Sequence, residues 1–232
     1  MTEPRESKSS GRVDAFVDAA FAFATTLLVV SADALPTTLD DLLGAIARIP
    51  AFAGGFALLA LFWWSHYGFR QLLRKDDGKS LLLSLMIVFV IMIYVYPLRL
   101  LTESAAFYIS GGSLPGSPLV RSSEDMRVLY LIYGIGFTVL AGLYMLLFSH
   151  ASKAAEDEST HADARQAADR WLIVGLVGVL SVVMALVMPR TNSWLEGLPG
   201  MIYATIPILM PVYLWLRRPK KAGKMRLRRR PG

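Results

Sequence analysis

Six stretches of the chain stay apolar on every face, with charged residues gathered between them: 13–31, 50–67, 81–101, 128–149, 171–188 and 198–216. Each matches the roughly 20 residues that a helix rising ~1.5 Å per residue needs to cross about 30 Å of hydrocarbon. Closed barrels are the other structure that pairs every backbone group inside lipid, but their strands alternate in polarity and these stretches do not. The pattern therefore predicts an all-α membrane protein with six transmembrane helices per chain. It divides into an N-terminal segment 1–12, a six-helix domain 13–216 and a tail 217–232. On one side the connections are 33–49, 102–127 and 189–197, the second made flexible by Gly111-Gly-Ser-Leu-Pro-Gly-Ser-Pro118. On the other, 151–169 is rich in Ala, Glu, Asp and Arg and is expected to form an exposed helical extension or hairpin. Pro97 in the third stretch and Pro207 and Pro211 in the sixth remove backbone donors and should kink or widen those helices.

Composition agrees: 54% of residues are hydrophobic and the mean hydropathy is +0.47, too apolar for an ordinary soluble domain. Charge then orients the chain, because cytoplasmic loops carry the excess of Lys and Arg. With the N-terminus inside, 19 of the 24 basic residues fall on the cytoplasmic face, leaving Arg48, Arg99, Arg121, Arg127 and Arg190 outside. An even helix count returns the C-terminus to the cytoplasm as well. The net charge of +6 comes largely from the tail, Arg217 to Arg230. Beside a membrane helix such a cluster is expected to bind anionic lipid headgroups, at about 1 kcal/mol per basic residue; nucleic acid is not the expected partner. The absence of Cys excludes disulfides and thiolate sites. Basic residues, an apolar stretch and Ala32-Asp-Ala34 imitate a signal peptide. Asp14 and Asp18 interrupt the apolar run, however, so the segment is expected to remain as a span.

The first span has three kinds of face. Ala15, Ala19, Ala22 and Thr26 form a small-residue stripe that lets helices approach closely. Phe16, Phe23, Leu27 and Val30 form a second stripe of large apolar side chains. Asp14, Asp18 and Thr25 form a third, with both carboxylates at the cytoplasmic end. Near the membrane boundary ionisable groups are costly and face partners or water; Asp18 is then either a strut that locks this helix or a cation-attracting group at an inner mouth. The second span ends Leu61-Phe-Trp-Trp-Ser-His-Tyr-Gly-Phe-Arg70, an interfacial aromatic belt. If the two spans are antiparallel, His66 reaches the depth of Asp18, and Arg12, Asp18, Ser65 and His66 can close into a hydrogen-bonded latch. No nucleophile or metal-ligand spacing accompanies His66, so an enzyme is not expected, nor a cofactor or fixed metal. The centres of the six spans hold no ionisable residue. A pore narrowed by apolar side chains needs none, since it blocks or passes ions through the wetting of its constriction.

The run Arg12-Val-Asp-Ala-Phe-Val-Asp18-Ala-Ala-Phe-Ala-Phe23-Ala-Thr-Thr-Leu-Leu-Val-Val30 resembles the first helix of the transmembrane protein 175 family, potassium-permeable channels of lysosomes and endosomes with shorter prokaryotic relatives. That family carries an Arg, then Phe-Ser-Asp, then Phe-Ala-Ile and a Thr-Leu-Leu run. Trp63, Trp64, His66, Phe69, Arg70 and Pro97 extend the likeness over about the first hundred residues. The resemblance implies a homotetramer in the cell inner membrane, with a central potassium-favouring pore lined by the first helix. It places the apolar pore layers at Phe23, Leu27 and Val30, the stripe already found by spacing, with Asp18 at the inner mouth and Arg12 and His66 holding the helix. The permeant ion would be potassium, passing without a carbonyl filter, and no Thr-Val-Gly-Tyr-Gly segment is present. Val17 stands where the family has Ser, Ala19 where it has Gly, and Phe23 where it has Ile. Two other readings of the residues stay open: a small-solute transporter that moves at Pro207 and Pro211, and a non-conducting scaffold that recruits lipid or protein through its tail.

Overall fold

The computed structural model describes residues 5–29, 37–73, 77–116, 121–187 and 194–217, with side chains placed from residue 11 onward and not for Trp194 and Leu195. Among them every regular element is helical: α1 (Arg5–Val29), α2 (Leu39–Ala47), α3 (Ile49–Leu72), α4 (Gly78–Ile109), α5 (Ser123–Ala154), α6 (Glu158–Val187), α7 (Leu198–Met201) and α8 (Ile206–Leu216). Among the described residues five stretches are long and apolar enough to cross a membrane, namely α3, α4, α5, α6 and the run Leu198–Leu216. The protein is a multi-pass, all-helical membrane protein.

Helix ends lie where capping side chains satisfy the first free N–H groups. The Asp77 Oδ1 accepts from the Ser80 N–H at 2.8 Å and starts α4, and Ser122 Oγ accepts from the Asp125 N–H at 3.1 Å and starts α5. These polar turns carry the helices beyond the expected spans: α4 and α5 reach 32 residues each and α6 reaches 30. The polar 151–169 segment is the expected hairpin, made of the end of α5, an extended Ala155 and the start of α6.

Two expectations need correction. The 33–49 connection is not wholly a loop, because Thr38 and Asp41 form a reciprocal capping box that starts the nine-residue α2. The sixth span is not one bent helix. It runs through a 3-10 turn (Trp194–Gly197), α7, a second 3-10 turn (Ile202–Thr205) and α8. Pro207 lacks the N–H that would bond the Tyr203 carbonyl, so the α-helical ladder breaks before it instead of merely bending. Pro97, by contrast, lies inside an α4 that continues past it.

The core lies between α3, α4, α5 and α6. Phe62, Tyr144 and Trp171 form a mutual cluster of near-parallel rings, the Tyr144–Trp171 centroids 4.6 Å apart, and the Tyr144 hydroxyl donates to the Phe62 carbonyl at 2.6 Å. Towards the other end Tyr94, Tyr133, Phe137 and Tyr203 form a second aromatic group. Each buried hydroxyl needs an acceptor; Tyr94 finds the Tyr133 carbonyl at 3.3 Å. Against this scaffold α1 packs on α3 and α4 through Val17, Phe21, Ala24 and Leu28, all buried.

Candidate pore helix and its inner clamp

The buried residues of α1 recur at spacings of three and four and so define one face. The opposite face is open: Ala15, Phe16, Ala19, Ala22, Phe23, Thr26 and Val29 are exposed, Phe16 and Phe23 each at 53%. The small-residue stripe thus occupies the middle of the open face and the two Phe rings lie along its edge. Leu27, one further step round, is half-buried and packs against the core. Val30 lies outside the described residues. Thr25 and Thr26 donate their hydroxyl protons to the carbonyls of Phe21 and Ala22, at 3.0 and 3.1 Å. The Thr26 oxygen therefore faces outward as an acceptor, the right polarity for a cation. Thr26 was legible as part of the small-residue stripe but not as a polar point on an open face.

At its Asp14–Asp18 end α1 is fastened to α3 at two levels. Trp63 Nε1 donates to Asp18 Oδ1 at 2.8 Å, and Arg70 Nε lies 2.6 Å from Asp14 Oδ1. His66 is buried and pairs instead with Ser84 Oγ at 3.0 Å, tying α3 to α4. Ser65 donates to the Leu61 carbonyl of its own helix at 2.9 Å, and Arg12 is exposed. The latch expected from Arg12, Asp18, Ser65 and His66 is therefore connected differently. Three residues along a helix turn a side chain by about 300°, so when Trp63 faces α1, His66 is rotated towards α4. A helical Ser readily returns its proton to the carbonyl four residues back.

Sequence reasoning missed Asp14, Trp63, Arg70 and Ser84 as partners. Register was the available signal: α1 and α3 run antiparallel, pairing 14 with 70, 18 with 63 and, further up, Leu28 with Gly55. Beyond the clamp, Trp63, Trp64 and Tyr67 form a ring cluster with centroids 5.7–6.3 Å apart, and Trp64 is 63% exposed. That is the arrangement of an interfacial aromatic belt.

The remaining polar contacts hold helix ends. Arg99 and the buried Glu103 pair at 2.9 Å within α4. Arg127 Nε donates to the Ala185 carbonyl at 2.8 Å and so caps α6. Asp169 receives Arg217 at 2.5 Å and the Tyr213 hydroxyl at 3.2 Å, anchoring the end of α8. Asp77 lies 2.6 Å from His150 Nε2. Burial pushes the Asp77 carboxyl up, but the hydrogen bonds from Ser80 and His150 outweigh it and hold the group below its ordinary value. Among the described residues no group of three or more His, Asp or Glu side chains is placed to hold a metal ion.

Comparison with known proteins follows this geometry. The family model of the endosomal/lysosomal potassium channel TMEM175 matches residues 12–97, the segment that contains the open face of α1 and every member of its inner clamp. A protein of Marivirga tractuosa described as a potassium channel is 29% identical over 214 residues, covering 88% of this chain and 86% of its own. A potassium channel of Streptomyces collinus is 24% identical over 213 residues, covering 87% and 95%. The crystal structure of the potassium channel MtTMEM175, a T38A variant bound to a nanobody fusion, superimposes with a TM-score of 0.76 at 25% identity over 93% of both chains. The match centred on the clamp and the relatives aligned over most of its length make the chain similar to the potassium channels of the TMEM175 family.

Proposed function

We propose that the protein is a potassium-favouring cation channel of the plasma membrane, a homotetramer whose central pore is lined by the open face of α1. The observation that carries this reading is the one-sided packing of α1, which leaves a long face of apolar and small side chains uncovered while Asp14 and Asp18 sit at one end. One helix cannot enclose a water path, and copies around a symmetry axis can. In that arrangement Phe23, Leu27 and Val30 form the narrowest layers. A constriction of this kind conducts when it is wet and seals when it dries.

The Asp18 carboxylate gives one oxygen to Trp63 and raises the local cation concentration at the inner mouth. Both termini are assigned to the cytoplasm, where the basic residues of the tail meet anionic headgroups. The test is potassium flux into liposomes that hold the purified protein. Phe23→Ala and Leu27→Ala each widen an apolar layer and are expected to raise flux about tenfold, because the drying of a constriction depends steeply on its width. Wild-type flux from both variants would remove these side chains from the pore.

A further inference from the structure

We propose that the ion pair between Asp14 and Arg70 is the brace that fixes the distance of α1 from the channel axis, and with it the fraction of time the constriction is open. This rests on the pore reading above and adds a positioning pair outside the pore. The Arg70 side chain is only 10% exposed and Asp14 is 38% exposed. A guanidinium stays charged at any working pH and is costly to bury without a counter-charge. Here α1 supplies that charge at 2.6 Å from Nε.

The need for a brace follows from the open face itself. Around a water-filled axis, four faces bearing Phe16, Ala19 and Phe23 gain by closing on one another, since that removes apolar surface from water. Something on the far side of each α1 must hold it back. In its outer half Leu28 packs beside Gly55. In its inner half Val17 and Phe21 pack on the core, and of the polar contacts there Asp18–Trp63 is a hydrogen bond to a neutral ring, whereas Asp14–Arg70 joins two full charges, with Arg70 only 10% exposed. Asp14 lies about 13 Å along the helix from Phe23, so a small inward lean of the lower half of α1 moves the constriction without touching its side chains.

The experiment combines single-channel recording of the full chain in planar bilayers with spin-label distances. Asp14→Asn and Arg70→Gln should each lower the open probability about tenfold at unchanged unitary conductance. The double variant should be no worse than either single, and the exchanged pair Asp14→Arg with Arg70→Asp should recover most of the loss. The chain has no Cys, so Ala15→Cys with Gln71→Cys creates one pair of labelling sites between α1 and α3. In protein diluted with unlabelled chain, the label distance should lengthen and broaden in Asp14→Asn. An unchanged distance overturns the brace, as do single effects that multiply in the double variant or a fall in unitary conductance, which marks a charge lining the pore instead. A wild-type protein that carries no potassium current ends the pore reading; the label distance then decides by itself whether the pair holds α1.

Discussion

α6 and α1 are both largely apolar helices, yet they are held in opposite ways. α6 lies against α5 so closely that a Cβ on Gly178 would stand 2.6 Å from Thr138 Oγ1, and one on Gly134 would stand 2.7 Å from Val182 Cγ2. Trp171 adds an aromatic stack on Tyr144. Backbone therefore approaches backbone, and such a contact has no soft direction in which to slide. α1 rests on its neighbours through one face of side chains and two polar contacts near its inner end. Hydrophobicity alone does not distinguish a tightly packed helix from a half-covered one; the distinction lies in glycines at the contact and in how much of the circumference is covered.

Two glycine substitutions sharpen this contrast. A Gly to Ala change inside a helix gains about 1 kcal/mol of helix propensity, while an overpacked contact costs about 1–3 kcal/mol. At Gly178 the new methyl group meets Thr138 Oγ1, the Phe137 ring and the Thr138 backbone nitrogen, so the clash wins. Gly178→Ala should lower the thermal unfolding midpoint in detergent by roughly 3–6 °C. At Gly55 the atoms nearest the methyl are all of the Leu28 side chain, at 2.9–3.5 Å, and that side chain can give way by shifting with the half-covered α1. Gly55→Ala should leave the midpoint within about 2 °C but press α1 towards the axis and reduce potassium flux about threefold. Equal losses of stability at both glycines would erase the distinction between scaffold and pore helix.

Much of this could be read from the sequence because lipid imposes a strict rule on backbone polar groups, and runs of apolar residues then have one interpretation. The open edge of α1 at Phe16 and Phe23 followed from helical spacing. What escaped was rotation about the helix axis. Asp18 and His66 were expected near one depth, yet hydrophobicity does not tell which side of α3 faces α1, and the partner of Asp18 is Trp63. Nothing in the spacing of α1 names the partner of Asp14, because Arg70 lies on a different helix. α2 escaped because nine residues between two spans are short for a helix, although its capping box at Thr38 and Asp41 and its apolar Leu39, Leu42, Leu43 and Ile46 were there to be read. The break before Pro207 escaped because a proline in lipid ordinarily gives only a kink.

The smallest expected effect belongs to a charge on the scaffold side, the Asp77 carboxylate that starts α4 and meets His150 at the end of α5. Its folded-state pKa lies below the ordinary 3.8. A depressed carboxylate contributes stability that is present above the unfolded value and is lost as pH falls through the folded one. Nothing should change between pH 7 and pH 5, and the loss should appear only below about pH 4. The Asp77 side chain is 49% exposed, so solvent screening confines the effect to a few tenths of a kcal/mol. Asn is about as good a helix cap as Asp, which lets Asp77→Asn remove the charge and keep the cap. Between pH 5 and pH 3 the midpoint of that variant should fall about 1 °C less than that of the wild type, measured by thermal melts in detergent. Potassium flux at neutral pH should be unaltered, because the pair ties α4 to α5 and leaves α1 alone. A flux change as large as that of Asp14→Asn would mean that the scaffold and the pore helix move as one body.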